Sequence, residues 1–97
     1  MIEVRRMGDR DPLRFEVVVR EGADATRHEV TMSVATYNAF GGPSHAPEKC
    51  IEEAFRFLLD REPKEAILKR FDVSVIARYF PEFPREFPHY LSSRQSR

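Results

Sequence analysis

Residues 13–34 read LRFEVVVREGADATRHEVTMSV, and the side-chain alternation in this run decides the fold. Leu13, Phe15, Val17 and Val19 recur at every second position, with Arg14, Glu16 and Arg20 between them and Val18 the one apolar residue on the outer side. A period of two places one row on each face of a pleated strand, so the apolar row faces a core. His28, Val30, Met32 and Val34 form a second row, alternating with Arg27, Glu29, Thr31 and Ser33. The link Glu21-Gly22-Ala23-Asp24-Ala25 is short and carries a glycine, which predicts an antiparallel hairpin. Upstream, Ile2 and Val4 can open a third strand before the turn Gly8-Asp9-Arg10-Asp11-Pro12.

Downstream the period changes. A joint over about 36–46 contains Gly41-Gly42-Pro43-Ser44, which neither a strand nor a helix tolerates. From Pro47, suited to a first helical turn, Ile51, Ala54, Phe55 and Leu58 follow i, i+3, i+4, i+7 spacing, widened by Cys50, Phe57 and Leu59. This predicts a helix over about 47–60. Pro63 stops it and starts a second helix to about Arg70 using Ala66, Ile67 and Phe71; Asp72 is placed to cap a third, short helix ending before Pro81. Proline follows Phe80, Phe83 and Phe87, and Pro84 and Pro88 each count against a helix, so residues 80–90 are expected as an extended strap and 91–97 as a flexible tail. The strap either docks on its own domain or presents Phe83, Phe87 and Tyr90 to a partner. The fold class expected is α+β: one domain over 1–97, with strands over about 2–35 packed on two to three helices over about 47–80.

Composition narrows the function classes. The chain has 97 residues, 41% of them apolar, enough for one core without a metal or disulfide. Its 16 basic and 16 acidic side chains cancel, leaving no net field to draw it to nucleic acid or anionic lipid. One cysteine forms no internal disulfide, no apolar run is long enough for a signal peptide or a membrane span, and a cytoplasmic location is expected.

Each candidate for chemistry has a simpler structural reading. His28, His45, His89 and Cys50 lack the paired spacing of a metal chelate, so no metal or other cofactor is expected. His28 reads as a hydrogen-bonded core or edge histidine and Cys50 as a small buried hydrophobe. Glu48, Glu52 and Glu53 complement the dipole of the first helix. Gly41-Gly42-Pro43-Ser44 has neither phosphate-loop spacing, and no nucleophile elbow is present, so no catalytic residue is assigned.

The stretch Glu53-Ala54-Phe55-Arg56-Phe57-Leu58-Leu59-Asp60-Arg61-Glu62-Pro63-Lys64-Glu65-Ala66-Ile67-Leu68, continuing through Phe71-Asp72-Val73-Ser74-Val75-Ile76 to Arg78-Tyr79-Phe80-Pro81-Glu82-Phe83, resembles a block found in small uncharacterised prokaryotic proteins. The resemblance covers about a third of the chain. It implies a bacterial or archaeal cytosolic origin and carries no activity, cofactor or site residue with it.

Three readings of function follow. The first is a non-enzymatic binding or regulatory module, with a protein partner or a second copy meeting an exposed sheet edge or the surplus aromatics. The second is a small enzyme or ligand carrier with a pocket at the Gly41–His45 joint lined by Tyr37, His45 and Cys50. The third is a nucleic-acid binder through residues 63–80, with Ser74, Arg78 and Arg85 reaching the phosphates, disfavoured because Glu62, Glu65 and Asp72 offset the cations.

Overall fold

The computed structural model describes residues 1–41 and 44–95; Gly42 and Pro43 of the joint and residues 96 and 97 of the expected tail lie outside them. The N-terminal alternation builds three antiparallel strands, β1 (Ile2–Gly8), β2 (Leu13–Glu21) and β3 (Asp24–Met32), with Gly22 at φ +61° in the β2–β3 turn. A fourth strand, β4 (Arg70–Asp72), adds parallel to β3, giving a mixed sheet in the order β1-β2-β3-β4. The architecture is α+β, as the change of period implies.

One face of this sheet is buried and the other is ionic. Leu13, Phe15, Val17, Val19, Val30 and Met32 point into the core. On the opposite face Arg5 and Arg27 both reach Glu16, Arg20 reaches Glu3, and Arg70 reaches Glu29. Cross-strand pairs of opposite charge keep such a face solvated and in register. The helix expected from Pro47 covers the inner face. It follows a short helix, α1 (Val34–Ala39), and is therefore α2 (Pro47–Leu59), burying Cys50, Ile51, Ala54, Phe55, Phe57 and Leu58. The sequence places this helix within one residue.

Three local expectations are corrected. The second strand row stops at Met32, because Ser33 accepts a hydrogen bond from the Thr36 amide at 3.0 Å and caps α1. The expected second helix over 63–70 is a single 3-10 turn (Lys64–Ala66) leading into β4. Its backbone is taken by the sheet instead: the Glu29 amide donates to the Lys69 carbonyl at 2.7 Å. Asp72 does cap, accepting from the Ser74 amide at 3.0 Å, but it opens a 3-10 turn (Val73–Val75) ahead of α3 (Ile76–Tyr79).

The largest correction concerns the strap and tail, since Phe83–Gln95 is a helix, α4. Pro84 sits in its first turn, where an amide N–H has no helical partner in any case, and so costs nothing. Only Pro88 interrupts the ladder, at about 3 kcal/mol. Phe83, Phe87 and Leu91, four residues apart, are each 5% exposed or less, and burying three such side chains at about 1.5–3 kcal/mol apiece outweighs one lost bond. Phe83 and Phe87 join Phe40 and Phe57 in an aromatic cluster with ring centroids 4.8–5.7 Å apart.

Candidate functional site

The segment between α2 and α3 is irregular, and three tethers hold it to the sheet. His28, buried in β3, has Nδ1 2.8 Å from the Leu68 carbonyl and Nε2 2.9 Å from the Thr26 hydroxyl. A carbonyl only accepts, so Nδ1 carries the proton and Nε2 accepts from Thr26. Thr31 donates its hydroxyl to the Asp72 carboxylate. Lys64, 4% exposed, donates to Glu65 at 2.8 Å and Glu21 at 3.3 Å, which bind the 3-10 turn to the end of β2 and hold the ammonium above its ordinary pKa.

These tethers frame an open groove of about 220 Å³. Leu58, Ile67 and Ile76 form its buried base, Phe71 of β4 and Phe80 its walls, and Leu68 and Tyr79 stand on its rim at 46% and 66% exposure. Among the described residues Glu62 is the one carboxylate that lines it, and burial pushes its carboxyl above its ordinary pKa. The volume lies below the roughly 300–1,000 Å³ of pockets that enclose a drug-sized ligand or cofactor. Sequence reasoning misses this site: Leu68 lies outside the stripe of Ala66, Ile67 and Phe71 read for the second helix, and Glu62 is weighed only as a charge that offsets nearby cations. Their signal is only that they remain when the buried stripes have been assigned.

The residues singled out by sequence fall elsewhere. Phe83 and Phe87, expected as partner contacts, are 1% exposed and belong to the core, so the folded chain offers neither to a partner. Tyr90 is half-buried, with its hydroxyl between Asp60 and Arg61. At the joint, Tyr37 donates to the His45 carbonyl and the His45 ring lies 3.4 Å from where a Cβ on Gly41 would stand. Cys50 is 1% exposed on the inner side of α2, and four surface cavities of about 220–470 Å³ include none of Tyr37, His45 or Cys50. Ser74, Arg78 and Arg85 stand on a 3-10 turn, α3 and α4, and α3 has four residues, so the helix-turn-helix needed for the nucleic-acid reading is not formed. Among the described residues no three His, Cys, Asp or Glu side chains stand together as metal ligands, and no helix is long and apolar enough to cross a membrane.

Three expected outcomes arise from these environments. Burial raises the Cys50 thiol to about 11, so a disulfide reagent at neutral pH will label it only after denaturant unfolds the chain. Fast labelling of native protein would contradict its placement in the core. Gly41 holds φ +114°, which L side chains rarely adopt, and Gly41→Ala is expected to lower stability by about 1–2 kcal/mol in urea titration. For His28, burial first and Lys69 second lower its pKa from 6.5, against the Leu68 hydrogen bond. The native chain then binds fewer protons than the unfolded chain below pH 6.5, so stability falls as pH drops from there toward the lowered native pKa. The limiting slope is about 1.4 kcal/mol per pH unit. Urea titrations across that window should show the slope in wild type and a flatter one in His28→Asn; equal slopes would assign the effect to another group.

No protein-family model, curated protein or solved structure matches this chain.

Proposed function

We propose that this protein is a non-enzymatic binding module that captures an apolar side chain of a protein partner in the groove between α2, β4 and α3. The observation that carries the proposal is the groove itself, open at a rim of exposed Leu68 and Tyr79 and lined by the single carboxylate of Glu62. Apolar walls supply affinity through area removed from water, and a half-desolvated carboxylate supplies preference for a neighbouring Lys or Arg. The groove is framed by backbone and side-chain tethers to the sheet, which keeps it formed before a partner arrives. A cytosolic setting fits the lone buried cysteine, which forms no internal disulfide.

Selection of displayed random peptides on the immobilised protein tests the reading. Enriched peptides are expected to share Leu, Ile or Phe with Lys or Arg close by. Leu68→Ser and Tyr79→Ala should weaken their binding at least tenfold with an unchanged melting temperature, and Glu62→Gln should erase the preference for the basic residue. Peptides that bind the rim variants as well as wild type would overturn the assignment.

A further inference from the structure

The other end of the sheet carries a separate signal. Among the described residues strand β1 has one neighbour, β2, and its far edge is open. Met1 and Arg20 exchange both backbone hydrogen bonds at 2.8 Å. In an antiparallel ladder bonded and non-bonded pairs alternate, so with the observed register Glu3↔Val18 and Arg5↔Glu16 also bond toward β2. Ile2, Val4 and Arg6 therefore turn their N–H and C=O groups to the open edge.

We propose that β1 pairs with β1 of a second copy, antiparallel, about a two-fold axis at Val4, to make one continuous eight-stranded sheet. In this register Val4 faces Val4 of the second copy and Ile2 faces Arg6, which uses the three outward-turned residues of each chain in reciprocal backbone bonds. Glu3 then faces Arg5 across the axis, twice by symmetry. On the same face Glu3 already pairs with Arg20 and Arg5 with Glu16, so the new contacts complete a row of alternating charge running from one chain into the other. Met1 and Met7, two of the exposed large apolar side chains at 77% and 54%, meet at the two ends of the row.

The neighbouring registers fail on charge. An axis at Glu3 sets Glu3 against its own copy, and an axis at Arg5 sets Arg5 against its own copy; like charges directly opposite each other destabilise a strand pair. With the axis at Val4 both charged pairs beside the axis, Glu3 with Arg5 and Arg5 with Glu3, are of opposite sign, and the strands pair from Ile2 to Arg6, short of the irregularity between Arg6 and Gly8. The pairing also closes, because an isologous contact consumes both long edges and leaves β4, with three residues, at each end of the joined sheet. This contact is at the opposite edge of the sheet from β4 and the groove, so it stands independently of the binding role proposed above.

Sedimentation velocity of the full chain and its variants tests the pairing. Wild type should sediment as a dimer, while Glu3→Arg and Arg5→Glu alone should each raise the dimer dissociation constant at least tenfold by setting like charges across the axis. Mixing the two single variants in equal amounts should restore the dimer. The first variant then brings only cations to the positions flanking the axis and the second only carboxylates, so every facing pair is again of opposite sign. Val4→Pro removes an N–H that β2 does not use and should give a folded monomer by circular dichroism. A wild-type chain monomeric up to about 1 mM would overturn the proposal. So would a dimer that survives Val4→Pro, or single charge variants whose mixture fails to recover it while each remains folded.

Discussion

A chain ending at Pro81 will fail to reach the folded state. It lacks Phe83, Phe87 and Leu91, which at about 1.5–3 kcal/mol each contribute about 5–9 kcal/mol of burial, an upper range because denatured chains already bury some surface. It also uncovers Phe57 and Phe40, against whose rings Phe83 and Phe87 pack. A domain's whole stability is about 5–15 kcal/mol, so the loss is comparable with it and exceeds it toward the lower end of that range. Near-ultraviolet circular dichroism of the truncated chain should show no aromatic signal and heating no cooperative transition. A truncated chain with the wild-type melting temperature would mean that α4 does not belong to the core.

Phe57→Ala should be the most costly single substitution, at about 3–5 kcal/mol. Phe57 is fully buried on α2 and meets Phe80, Phe83 and Tyr90 edge-on, with centroids 4.8–5.9 Å away. The Arg61 guanidinium lies 3.7 Å over the same ring and also bonds Glu82 at 2.9 Å, so the ring joins α2, the turn before α4 and α4 itself. Alanine leaves a cavity among these partners that rigid neighbouring rings fill poorly. Phe57→Leu, which retains most of the volume, should cost far less. Urea titration measures both, and a loss below about 1 kcal/mol for the alanine variant would show that the cluster repacks freely.

The strands are legible in the sequence because one face of the sheet is wet: only then does burial impose a period of two. Val18 departs from the pattern and is nonetheless 7% exposed, lining a cavity with Arg5, Arg20 and Arg27, whose stems can cover an apolar neighbour while their charges stay in water. Strand β4 is not legible. It contributes one inward side chain, Phe71, and is held by backbone and Thr31–Asp72 bonds that no periodicity encodes. In α4 the aromatic spacing is visible, and a strap follows only if both prolines are counted alike, whereas Pro84 occupies a first turn. The groove is hidden for a different reason. Its rim consists of apolar residues, and a sequence does not distinguish an apolar residue facing a core from one facing an open concavity. The self-matching order of Glu3, Val4 and Arg5 is present in the sequence, yet it acquires meaning only once β1 is known to be an edge and the direction of its hydrogen bonds is known.

The groove is tested most directly by methyl NMR on the isoleucines, Ile2, Ile51, Ile67 and Ile76, during titration with 2-phenylethylammonium, an apolar ring carrying a cation. Ile67 and Ile76 line the groove and should shift with saturation, while Ile2 and Ile51 stay in place. Neutral 2-phenylethanol should bind more weakly, the anion 3-phenylpropionate weakest, and Glu62→Gln should bring the first two together. Shifts at Ile2 or Ile51 alone, no saturable shift at Ile67 and Ile76, or equal binding of cation and anion would contradict a groove that selects an apolar group beside a positive charge.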